Sequence, residues 1–200
     1  MSTFRTALAR GGTSRLAARS MAMTETLSAT LPTATERLVD AVLGLADEHD
    51  LSLATAESCT GGLLASILTD VEGRSHVFER GFVVYTDAAK AQALNVDPDL
   101  LATAGAVSEP VARAMAEGAL NRSGAGLAAA VTGFAGPAGP DDETGLVHFA
   151  VARRDEATTH AVRRFGEIGR GACRLACLEV ALTMMKAALE AQQSPSVNRD

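Results

Sequence analysis

The chain has no tryptophan, a single tyrosine (Tyr85) and only 4% aromatic residues. Stacking platforms that hold single-stranded nucleic acid by base–aromatic contact are not expected from so few rings. Lysine is almost as scarce: of the 18 basic residues only Lys90 and Lys186 are lysine. Acidic residues number 24 and the formal charge is −6, so no broad cationic surface for nucleic acid is expected. Cysteine occurs three times (Cys59, Cys173, Cys177), an odd and sparse set that argues against a disulfide framework and suits a reducing compartment. No apolar run approaches the ~20 residues of a membrane span. The four histidines (His49, His76, His148, His160) are scattered, with none in a metal or triad motif. What is present is 200 residues, 47% of them hydrophobic, with a mean hydropathy of +0.12. That is enough for one well-packed core, and it points to a soluble, globular, cytoplasmic chain.

Charge is unevenly spread. Residues 1–24 carry Arg5, Arg10, Arg15 and Arg19 and no acid, leaving −10 for residues 25–200. This start has no apolar segment of a secretory signal. Its Arg- and Ser-containing composition superficially matches a transit peptide; the alternatives are a disordered tail, or an extension upstream of a start at Met21 or Met23. The expected organisation is an N-terminal tail over 1–34, one domain over 35–191, and a flexible tail over 192–200 containing Pro195.

Within the domain the punctuation alternates. Thr35 is placed to cap a helix carrying Leu38, Val42 and Leu45. Residues 51–56 read as a buried strand, followed by Glu57-Ser58-Cys59-Thr60-Gly61-Gly62 and a helix to about Leu68. Residues 81–85 read as a second strand, with Asp87 capping a helix that contains Lys90. Ser108 and Pro110 mark another helix start. Residues 127–132 form an Ala/Val strand that runs into Gly133-Phe134-Ala135-Gly136-Pro137. Residues 146–152 and 158–165 read as a hairpin, and a long helix over about 170–191 closes the domain. Strands alternating with helices, plus one hairpin, predict an α/β three-layer sandwich: a mixed sheet flanked by helices.

In such a sheet ligands gather beyond the carboxyl ends of the strands. There the chain concentrates Ser58, Thr60, Gly61, Gly62, Tyr85, Thr132 and Gly133. Backbone N–H groups over 60–62 can hold a phosphate or an oxyanion. Ser58 at a strand-to-helix turn is either a cap or a nucleophile, with Cys59 the alternative nucleophile. Lys90 is either a solvated helix-face residue or a base. In a chain that so favours arginine, a retained lysine is notable, because guanidinium does not deprotonate in proteins and a desolvated amine can. Tyr85 is either half-buried core or polar machinery. No Walker-A pattern exists, and Gly133 to Gly136 is too short for a dinucleotide fingerprint. Cys173 and Cys177 lie one helical turn apart with no further ligands spaced around them.

Four blocks, Thr55–Gly62, Phe78–Tyr85, Gly105–Glu109 and Thr132–Pro137, resemble the C-terminal domain family of the competence-damage protein CinA over residues 35–189. Stand-alone members of that family are nicotinamide-mononucleotide deamidases. The resemblance implies a serine amidohydrolase with a Ser/Lys pair and no metal or cofactor, acting on a small nucleotide. It places Ser58 as nucleophile, Lys90 as base and Tyr85 as a group bridging or orienting them. Thr132 is expected near the substrate, with Thr60, Gly61, Gly62 and Gly133 as further binding positions. Arg170, which begins the last helix, matches the arginine of the family's Gly-Asp-Arg, here Gly169-Arg170 after one extra residue. The family's Ser-Asn after the tyrosine is Thr86-Asp87, and the loop after Pro137 is short and acidic. A homodimer is implied, and Leu175, Leu178, Leu182 and Met185 on the last helix pack on a partner or on the chain's own sheet. The competing readings are a non-catalytic nucleotide-binding module and an amidohydrolase of another small carboxamide.

Overall fold

The computed structural model describes residues 31–191. The tails read in the sequence lie outside these residues, apart from positions 31–34. Of those, Thr33 and Ala34 already belong to the first helix, α1 (Thr33–Glu48). The chain continues through β1 (Leu53–Glu57), α2 (Leu63–Leu68), β2 (Phe78–Val83), α3 (Asp87–Leu94), α4 (Pro98–Ala104), α5 (Glu109–Asn121), β3 (Leu127–Gly133), β4 (Leu146–Arg153), β5 (Thr159–Arg164) and α6 (Arg170–Glu190). The sheet has five strands in the order β2-β1-β3-β4-β5. The first three are parallel, and β4 and β5 join antiparallel as the hairpin read in the sequence. The α/β sandwich around a mixed sheet is the fold that forms.

Alternation along the strands sorts the core into two layers. Leu53, Leu127, Val131, Phe149 and Val151 face α1 and α6, where Leu178, Leu182 and Met185 of α6 are fully buried. These positions of the last helix are therefore core of their own chain, with Leu175 packed at the margin. The opposite face is made of alanine: Ala54, Ala56, Ala128, Ala130, Ala150 and Ala152 lie against α5, which answers with Ala112, Ala116 and Ala119. Small residues on both sides let helix and sheet approach closely.

Four local expectations are corrected. Thr35 is not the cap of α1; Pro32 stands there, and Thr35 is buried inside the helix with its Oγ1 donating to Glu179 Oε1 at 3.2 Å. The cap of α3 is Thr86, whose hydroxyl accepts from Ala89 N at 3.1 Å; Asp87 is the first helical residue. β2 begins at Phe78, three residues before the expected strand 81–85, and ends at Val83, because polar Glu79 and Arg80 sit on the open edge of the sheet. Finally, α4 was not expected; Asp97 and Pro98 start this short helix by accepting from Asp99 N and presetting the first turn.

Candidate active site

β1 and β3 are parallel neighbours at the centre of the sheet, and the loops after β1, β2 and β3 meet at its carboxyl edge. They enclose a cleft of about 310 Å³ whose wall includes Ser58, Tyr85, Lys90, Thr132, Gly133 and Arg170. A cavity of about 340 Å³ between the hairpin and the end of α6 is walled by alanines together with Arg153, Glu156 and His160, and holds no serine, cysteine or lysine. The chemistry is in the first.

Ser58 leaves β1 with its N–H on Val131 O at 2.9 Å, and its carbonyl accepts from Gly61 N at 3.1 Å. These bonds tie the turn to β3 and hold the largely buried Ser58 at the cleft wall. Lys90 reaches it from the first turns of α3, in the other helical layer. The residue is 1% exposed, and Nζ lies 3.4 Å from Ser58 Oγ and 3.5 Å from Tyr85 O. Asp87 Oδ1 is 3.9 Å away on a side chain that is itself 61% exposed, so water screens this ion pair. Desolvation pulls the Lys90 amine below its ordinary value, against the weaker opposing pull of Asp87, Cys59 and Tyr85. A buried amine with so little compensation favours its neutral form, and neutral lysine beside a serine hydroxyl can take its proton.

The remaining expected residues divide. Thr132 is buried at the cleft wall, its Oγ1 donating to Ala106 O at 2.8 Å, which pins the loop before α5 across the site. Gly133 has no room for a side chain: a Cβ there would sit 2.6 Å from Leu146 O and 2.8 Å from Val147 Cα. Arg170 stands between the cleft and an adjoining hollow of about 270 Å³ that also reaches Thr144 and Glu167. Tyr85 is placed differently from the bridging role. It offers Lys90 its backbone carbonyl, while its ring is 61% exposed and its hydroxyl accepts from Arg170 Nη2 at 3.4 Å.

Thr60, Gly61 and Gly62 are not in the cleft wall, and the anion cradle expected there is filled from within. The Glu57 carboxylate, on a fully buried residue, accepts from Gly62 N (3.0 Å), Leu64 N (3.0 Å), Ala65 N (2.8 Å) and Thr55 Oγ1 (3.2 Å). It caps α2 in place of a ligand, while Gly61 and Gly62 take positive φ angles to close the turn. The sequence reading gave Glu57 no role; the available signal was an acid ending a strand with no other charge, ahead of a helix whose cap position is glycine. It also missed that Cys59, on the cleft wall, meets Cys173 and Cys177 in one buried group. Hydrogen bonding from Cys177 lowers the Cys59 thiol and raises that of Cys177; burial raises that of Cys173. Among the described residues no three His, Cys, Asp or Glu side chains are arranged to hold a metal ion, and no helix is long and apolar enough to cross a membrane.

Comparison with known proteins agrees with this fold. The model of the CinA C-terminal domain matches residues 35–189. A CinA-like protein of Parasynechococcus marenigrum is 44% identical over 162 residues, 80% of this chain and 39% of that protein. One from Akkermansia muciniphila is 56% identical over 113 residues, 56% of this chain and 27% of that protein. The crystal structure of the competence/damage inducible protein CihA from Agrobacterium tumefaciens superposes with a TM-score of 0.77 at 45% identity, covering 80% of this chain and 98% of that one. The chain thus spans well under half the length of these curated relatives, and nearly all of the crystallised one.

Proposed function

The chain belongs to the CinA C-terminal domain family, and from that premise we propose that it hydrolyses the carboxamide of nicotinamide mononucleotide to nicotinic acid mononucleotide and ammonia. The observation that carries this reading is the desolvated Lys90 amine 3.4 Å from the Ser58 hydroxyl on the wall of a ligand-sized cleft.

In this mechanism Ser58 Oγ attacks the carboxamide carbon as Lys90 Nζ takes its proton. The negative charge formed on the carbonyl oxygen needs N–H donors. Since the N–H groups of Gly61 and Gly62 are engaged internally and Thr60 lies off the cleft wall, the N–H of Cys59, the turn residue that borders the cleft, is the one assigned to it. The Lys90 ammonium returns its proton to the departing ammonia, leaving an acyl ester on Ser58. Lys90, neutral again, activates the water that cleaves it. With α2 capped by Glu57, the substrate phosphate falls to Arg170, whose guanidinium faces both the cleft and the adjoining hollow. The reading includes a homodimer, which light scattering tests directly.

The experiment is ammonia release from nicotinamide mononucleotide, with Ser58→Ala and Lys90→Arg alongside. Turnover by the parent chain and its loss in both variants is expected. Full activity in Lys90→Arg removes the base assignment. Binding of the nucleotide without ammonia release identifies a non-catalytic module. Preference for free nicotinamide, which carries no phosphate, identifies a different carboxamide as substrate and removes the role of Arg170.

A further inference from the structure

All three cysteines of the chain come together behind the nucleophile turn, although two of them are more than a hundred positions from the third. Cys59 follows Ser58 and forms part of the cleft wall; Cys173 and Cys177 lie on successive turns of α6. All three belong to one buried cluster against α6, where Cys59 and Cys173 each lie close enough to Cys177 to shift its titration. The same stretch of helix is fastened to the same loop, since Arg174 Nε donates to Thr60 O at 3.2 Å. The sulfur atoms therefore meet where two elements are already held against one another. No metal-ligating geometry is found among the described residues, which leaves this group without an assigned use.

We propose that Cys59 and Cys177 are a peroxide-reactive thiol pair that closes into a reversible disulfide, and that this bond shuts off the Ser58 turn. The second half rests on the amidase reading above; the first does not.

The two sulfurs are not equivalent. Only Cys59 borders the cleft, so a small oxidant entering the site meets it first. Cys177 is fully buried, whereas Cys59 shares the cleft wall with Arg170, whose positive charge favours the thiolate there, so the attacking role is assigned to Cys59. Cys59 sulfur attacks one oxygen of hydrogen peroxide and the O–O bond breaks; the product is Cys59 sulfenic acid, and the other oxygen leaves as water once protonated. Cys177 sulfur then attacks the sulfenic sulfur, its proton leaves with the expelled hydroxide as a second water, and the disulfide forms. The two thiols lose two electrons and two protons in all, and the peroxide is reduced to two waters. A dithiol reductant reverses it. Drawing Cys59 from contact into a covalent bond with α6 pulls on the residue next to Ser58, whose 3.4 Å approach to Lys90 has no slack to lose.

The test treats the full chain with hydrogen peroxide and maps its peptides under non-reducing conditions. Expected are a Cys59–Cys177 linked peptide, a fall in titratable thiols from three to one, and recovery with dithiothreitol. Carboxamide hydrolysis falls at least about tenfold on oxidation and recovers on reduction. In Cys177→Ala the linked peptide is absent and dimedone traps Cys59 instead; in Cys173→Ala linkage and recovery are unchanged. Three intact thiols after peroxide that oxidises free cysteine, or linkage of Cys173 to Cys177, overturns the thiol pair. Linkage with unchanged hydrolysis overturns the switch. If the reduced protein shows no hydrolysis at all, the amidase reading fails while the mass map still decides the thiol pair.

Discussion

The two faces of the sheet solve the packing problem with different residues. Towards α1 and α6 the strands present Leu, Val and Phe, and towards α5 they present alanine at six positions on three strands. Each face also delivers one cation to the same cleft: Lys90 from the alanine side, buried and weakly paired, and Arg170 from the start of α6, beside an exposed tyrosine. The closely packed layer carries the group that must lose its charge. The layer of large side chains carries the group that keeps it.

The sharpest way to break this asymmetry is to remove the desolvated amine. Lys90→Met should lower turnover about 10³-fold while leaving stability at neutral pH equal or raised, as urea denaturation will show. The sign follows from proton linkage. Lys90 holds its proton less tightly in the folded chain than its ordinary value of 10.5 implies. The unfolded chain therefore binds more protons across that interval, and stability of the parent rises as pH climbs through it. Lys90→Met lacks that slope. The same lowered value makes activity rise with pH as the ammonium is lost, to be read from kcat/KM.

On the large-residue face Leu182 is fully buried, and Leu182→Ala should cost about 2–5 kcal/mol through the cavity it leaves. On the alanine face the reverse change is the damaging one: Ala130→Val should cost about 1–3 kcal/mol by forcing α5 away. Equal tolerance of valine on both faces would contradict the close-approach argument. The smallest expected effect belongs to the hairpin. His148 and His160 stack with Nδ1 and Nε2 3.0 Å apart, and burial holds both below their ordinary value of 6.5, with His160 also depressing His148. Their contribution is complete above pH 6.5 and is lost as pH falls through the lowered values. Stability of His148→Gln should therefore fall less steeply with acid than that of the parent.

The architecture was legible because strand ends, glycines and helix starts such as Ser108-Pro110 are local signals, and the motif blocks singled out Ser58 and Thr132, with Lys90 and Arg170 added by the family resemblance. What was not legible depended on partners distant in the chain. Thr35 looks like a cap until Glu179 is beside it, Tyr85 looks like a bridge until its hydroxyl meets Arg170, and Cys59 looks isolated until α6 arrives. The turn at Gly61 and Gly62 looks like an open anion site because spacing does not show that Glu57 folds back into it.

That carboxylate has a further consequence. Three amides at the front of α2 already have an acceptor supplied by the chain itself. The segment bearing Ser58 can therefore hold its shape in the empty protein, and substrate arrival has no ordering of this segment to drive. Amide hydrogen exchange at Leu64 and Ala65 should be slow and indifferent to added nucleotide, as befits a site assembled before it is used.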